Sequence, residues 1–66
     1  MSYYLESKTT PTGHEWVRYH YEGNREVVDN RSAESYHSPE EALDTGVEWM
    51  QENGVDAELV FPPDQR

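Results

Sequence analysis

SPEEALDTGVEWMQENG, residues Ser38 to Gly54, carries the start, face and stop signals of one amphipathic helix. Ser38 is an N-cap whose hydroxyl accepts from the free amides of the first turn, and Glu41, three residues on, completes a capping box. Pro39 falls at the first helical position, where its missing N–H is no loss. Glu40, Glu41 and Asp44 bring negative charge to the positive end of the helix dipole, worth about 0.3–1 kcal/mol each at low salt. Ala42, Leu43, Gly46, Val47 and Met50 follow the i, i+3, i+4, i+7, i+8 spacing of a single apolar stripe, with Trp49 at its border beside Ala42. Glycine inside a helix is about 1 kcal/mol less favourable than alanine, so Gly46 on the buried side predicts a close approach of backbone to sheet. Asn53 and Gly54 supply the C-cap and a left-handed position, with Val55 placed to touch Met50.

Outward from this helix, the remaining residues read as the sheet it covers. Met1 to Ser7 contains Tyr3, Tyr4 and Leu5 and suits a first strand, and Lys8 to His14, with Pro11 and Gly13, suits a turn or wide loop. Glu15 to Tyr21, EWVRYHY, alternates in the manner of a half-buried strand. Glu22-Gly23-Asn24-Arg25 suits a hairpin loop. The return strand runs from Glu26 to Ser32, with an open register because Val27 and Val28 are adjacent. Ala33 to His37 leads to the helix and places Tyr36 near its first turn. Val55 to Phe61 is a fourth strand with Leu59 and Phe61 on one face and Val60 on the other. Pro62-Pro63 ends its pairing, and a polar tail follows. The element order β-β-β-α-β defines an α+β two-layer sandwich: one domain over residues 1–66, with an antiparallel sheet of three to four strands and one helix on one face.

A lone helix covers one side of a sheet, so the other side must be polar or buried against a partner. The Val17, Tyr19 and Tyr21 row is expected to contact the helix, which leaves Trp16, Arg18 and His20 as an open interaction face. An exposed aromatic with two cations suits a homodimer or protein partner. It also suits stacking of single-stranded nucleic acid, the alternative reading. Charge argues against that alternative: 14 Asp and Glu against 5 Lys and Arg give a net charge of −9, with no basic footprint for phosphate.

The acidic, lysine-poor composition matches a protein adapted to concentrated salt, where screening shortens the Debye length to about 3 Å at 1 M. The chain has no cysteine, so neither disulfides nor a thiolate zinc site can supplement the core of a 66-residue domain. His14, His20 and His37 fall at no metal-binding spacing, and the acids at 40, 41, 44, 48 and 52 form a solvated outer helix face without a calcium-loop pattern. No nucleophile with an orienting partner stands out near His14-Glu15 or His20 and Glu22, and no glycine-rich phosphate loop is present. Asn30-Arg31-Ser32 matches the N-glycosylation pattern by chance. No cofactor, metal or catalytic residue is expected. With no apolar run long enough to span a membrane and no signal-peptide core at the N-terminus, a cytoplasmic location is the expectation.

Trp16-Val17 in a strand pair, the helix start Ser38-Pro39-Glu40-Glu41-Ala42 and the closing strand Ala57-Glu58-Leu59-Val60 together resemble the small proteins catalogued as domain of unknown function 2188, in an acidic version similar to proteins of halophilic archaea. The resemblance covers about two thirds of the chain. Pro62-Pro63-Asp64 departs from the glycine-containing turn that closes members of that family. The family has no established activity, so the resemblance implies a fold and no catalytic residues. The reading that emerges is a non-enzymatic binding or assembly module acting through an open sheet face or a free strand edge.

Overall fold

In the computed structural model, which describes residues 2–61, β1 (Tyr4–Thr10) and β2 (Gly13–Glu22) form a long antiparallel hairpin in full register from Tyr4↔Tyr19 to Thr10↔Gly13. The expected wide loop at Lys8 to His14 is therefore corrected. Lys8, Thr9 and Thr10 extend the strand, as β-branched threonines favour, and only Pro11 and Thr12 turn the chain. β3 (Arg25–Arg31) returns antiparallel to β2 through Gly23-Asn24, and α1 (Pro39–Asn53) then carries the chain across the sheet to β4 (Glu58–Val60). β4 pairs with β1 in parallel, so the sheet is mixed, in the order β3-β2-β1-β4. This fourth strand is shorter than the Val55–Phe61 expected. The end of strand pairing expected at Pro62-Pro63 lies outside the described residues.

The helix ends match their sequence signals. Ser38 Oγ accepts from the Glu41 amide at 3.1 Å, while the Glu41 carboxylate reaches past Ser38 to accept from the His37 amide, also at 3.1 Å. Gly54 adopts the left-handed conformation with φ 69°, and the Val55 amide donates to Met50 O at 3.1 Å, the long bond of a Schellman closure. The connection before the helix is also tied down. His14 and Tyr36 exchange backbone hydrogen bonds of 2.9 and 2.6 Å, which draws Tyr36 in against the core.

Leu5, Trp16, Ala42, Leu43 and Met50 form the core, with Tyr36, Val47, Trp49 and Ala57 packed around it. Gly46 allows this arrangement. A Cβ at that position would stand 2.9 Å from Leu5 Cδ2, closer than carbon atoms tolerate, and 3.0 Å from Trp16 Cγ, a tight contact that would push the neighbouring side chains aside. Helix backbone thus lies directly on the indole of Trp16. This reverses the expected facing of β2: Trp16, not the Val17, Tyr19 and Tyr21 row, lies beneath α1. Alternation supplies two rows, and the wide, flat indole is the surface onto which a side-chain-free helix segment can settle.

Gly46→Ala tests this contact because two effects oppose one another. Alanine improves helix propensity by about 1 kcal/mol, whereas overpacking a filled core costs about 1–3 kcal/mol. The expected net result in denaturant unfolding is a loss of about 1 kcal/mol. A stabilised variant would show that the helix stands further from the sheet than described.

Candidate functional site

β2 is one of the two central strands, and five consecutive residues, Trp16 to His20, are buried on alternating sides of it. On the helix side, Arg18 and His20 continue the Trp16 row past the C-terminal end of α1. Neither is open to solvent. Arg18 is covered by the segment after the helix: its Nε donates to Asp56 O at 3.1 Å and its Nη1 to Asn30 Oδ1 at 3.2 Å. Its guanidinium carbon lies 4.1 Å from the centre of the Tyr3 ring, a cation–π contact. Amide oxygens and an aromatic face thus hold the buried charge. His20 packs edge-on against Tyr3 and sits between two carboxylates, Asp29 Oδ2 at 2.6 Å from Nδ1 and Glu22 Oε2 at 3.1 Å from Nε2.

A β-bulge creates both arrangements. Arg18 pairs with Asn30 and Tyr19 with Val28, which leaves Asp29 as an extra residue in β3. Two successive side chains, Asp29 and Asn30, then serve the helix-side row, one for His20 and one for Arg18. The adjacent Val27 and Val28 that blur the register in the sequence lie beside this bulge. The hydrogen bond to Asp29, followed by that to Glu22, raises the His20 pKa above its ordinary 6.5 against the opposing effect of burial.

The side of the sheet away from α1 carries the other row. Tyr4, Tyr19 and Tyr21 form one aromatic cluster with ring centres 5.6 to 5.9 Å apart. Val17 and Tyr19 are 3% and 4% exposed even though no helix covers them. Charged side chains help to shield them. Tyr19 Oη donates to Glu6 Oε1 at 2.8 Å, Lys8 Nζ lies 5.8 Å from the Tyr19 ring centre, and Lys8 reaches Glu26 at 3.5 Å. Burial, followed by the bond to the Glu6 carboxylate, pushes the Tyr19 phenol up, so it remains a protonated donor. Along the same face Arg31 donates through Nε and Nη2 to Glu15 Oε1 at 3.0 and 2.8 Å. Beyond this charged layer the patch is open: Tyr21 is 51% and Val28 45% exposed.

The structure therefore brings Trp16, Arg18 and His20 into one row, as expected, but on the covered side. On the opposite side Tyr21 is the exposed tyrosine, Tyr4 is half-buried beside it, and Tyr19 lies beneath the ion pairs. The period-2 spacing of Tyr19 and Tyr21 was visible in the sequence; the register that adds Tyr4 was not. Among the described residues there is no group of three or more His, Asp or Glu side chains able to hold a metal ion, and no helix is long and apolar enough to cross a membrane. The fold defines a small α+β domain with a four-stranded mixed sheet and one helix. No family model, curated protein or solved structure matches the chain.

The raised His20 pKa has a signed consequence. Protonation lets both ring nitrogens donate to carboxylates, so the stabilisation is fully present below 6.5 and is lost as pH rises through the elevated folded value. Thermal melts from mildly acidic to mildly alkaline buffer should fall in midpoint across that range. His20→Gln should flatten the fall, and an equal slope in the variant would assign the effect to the remaining charges.

Proposed function

We propose that this protein is a non-enzymatic assembly module, cytoplasmic and adapted to concentrated salt, which pairs with a second copy of itself through the sheet face opposite the helix. The observation that supports this reading is the exposed Tyr21 and Val28 patch, continuous with the Tyr4 and Tyr19 rings and bordered by ion pairs. An apolar centre inside a polar rim is the anatomy of a protein interface. Charge favours a second copy over an unrelated anionic partner. The outer helix face is lined with Glu40, Glu41, Asp44, Glu48 and Glu52, whereas Lys8 and Arg31 lie on the tyrosine face among Glu6, Glu15 and Glu26. Two molecules of charge −9 repel least when they meet there, with cations and carboxylates of each facing those of the other. The likeness to domain of unknown function 2188 is consistent with such a role and adds no chemistry.

The nucleic-acid alternative loses its proposed platform, because Trp16 is 3%, Arg18 9% and His20 6% exposed. The two readings also differ in the sign of their salt dependence. Screening relieves repulsion between acidic copies and strengthens self-association, while it weakens any attraction to phosphate.

Light scattering between about 0.1 and 2 M KCl should show a rising dimer fraction. Tyr21→Ser or Val28→Glu should weaken the dimer about tenfold or more, as expected of central interface residues. Leu59→Lys at the edge of β4, where Leu59 is 37% and Phe61 70% exposed, is the control for pairing through a strand edge. Monomer at every salt and protein concentration, or loss of the dimer only in Leu59→Lys, would refute the proposed face.

Adaptation to salt has its own readout. The melting temperature should climb with KCl in both wild type and Tyr21→Ser, because the repulsion among acidic side chains is internal to each copy. A flat or falling midpoint removes that part of the reading.

A further inference from the structure

A cleft of about 340 Å³ lies between the C-terminal half of α1 and the connection that follows β3. Trp16, Trp49 and Tyr36 line it, and Glu34, Glu48 and Glu52 contribute carboxylates. We infer that this cleft is a binding site for an alkylated ammonium cation, held by the aromatic rings and the surrounding carboxylates.

Three observations carry the inference. The two indoles pack with ring centres 5.2 Å apart and an interplanar angle of 41°; Trp16, 3% exposed, belongs to the core and backs Trp49, so the rings open to a ligand are the half-buried Trp49 and Tyr36. Tryptophan is the strongest side-chain partner for a cation over its ring, and quaternary ammonium groups are recognised by such aromatic enclosures. Second, the cleft has an excess of negative charge that the fold leaves uncompensated. Among the described residues Glu34, Glu48 and Glu52 form no ion pair, and Glu48 and Glu52 are like charges one helical turn apart, a destabilising spacing. They also lie toward the negative end of the helix dipole, whose last turn contains no basic residue. A bound cation would relieve both conflicts. Third, the one cation among the lining residues is already engaged, since Arg31 directs its guanidinium to Glu15 at 2.8 Å.

The combination selects the ligand class. Among the described residues the lining carboxylates are not gathered into a group able to hold a metal ion, whereas an alkylated ammonium is large, weakly hydrated and suited to ring faces with carboxylates nearby. The cleft lies within the range of small-molecule sites, about 300–1,000 Å³. The same headgroup chemistry occurs in a free quaternary amine and in a trimethylated lysine side chain of another protein.

The chain has two tryptophans, and both line the cleft, so intrinsic fluorescence reads this site directly. Tetramethylammonium chloride titrated at constant ionic strength against sodium chloride should give a saturable spectral change, and the uncharged tert-butanol should give none. The double variant Glu48→Gln with Glu52→Gln, confirmed folded by circular dichroism, should bind on the order of tenfold more weakly, since two nearby charges are removed. A trimethyl-lysine peptide that binds more than about tenfold tighter than tetramethylammonium, with its unmodified counterpart silent, would identify a modified protein as the source; equal or weaker peptide binding would identify a free amine. No saturable response to tetramethylammonium or to the trimethyl-lysine peptide, or an unchanged affinity in the double variant, overturns the inference. The Tyr21→Ser variant should bind as wild type does, which separates this site from the assembly face.

Discussion

The fold depends on one close contact, the seating of the helix backbone at Gly46 on Leu5 and Trp16. Without a side chain there, α1 can descend onto β1 and β2 until it meets the indole and the leucine methyls at van der Waals distance. Leu5 becomes fully buried and Trp16 nearly so, and Ala42, Leu43 and Met50 close around them. In a domain this small, each core residue supplies a large share of the total burial, so the quality of this one seam weighs heavily. The contact also sets the lateral position of the helix. It lies over the two central strands, which leaves Leu59 on β4 at the sheet edge partly exposed and Arg18 and His20 beyond the helix end.

Those two positions show how a short core is extended with polar groups. Arg18 and His20 would be costly to bury alone, since a desolvated charge without partners is unfavourable by several kcal/mol. The bulge at Asp29 supplies a carboxylate for one and an amide oxygen for the other, and the turn after the helix adds Asp56 O. On the other side of β2, Lys8, Glu6 and Glu26 do the converse and lay a charged layer over Tyr19. No buried side-chain nitrogen or oxygen among the described residues lacks a partner. β2 is therefore insulated on both sides: by the helix and a polar network on one, and by ion pairs on the other.

This layout separates the molecule's surfaces by chemistry. The outer helix face is acidic, the far sheet face mixes tyrosines with both signs of charge, and the aromatic cleft beside Trp49 lies at the junction of helix and connection. A surface dominated by one charge keeps copies apart except where the sign is mixed.

Local signals in the sequence were enough for the helix. Ser38, Pro39, Glu41, Asn53 and Gly54 act on the backbone within a turn of themselves, so its ends and its buried stripe were legible, down to the close approach at Gly46. The β-β-β-α-β order and the two rows of β2 were legible as well. What the sequence did not contain was which row faces the helix, because Trp16 and the Val17, Tyr19 and Tyr21 row both read as apolar enough to be covered. That choice, the parallel pairing of β4, the bulge at Asp29 and the meeting of Tyr4 with Tyr19 and Tyr21 were decided only in the tertiary structure. Each depends on contacts between residues far apart in the chain, where shape and partner supply, and not alternation, select among arrangements that local propensity leaves equal.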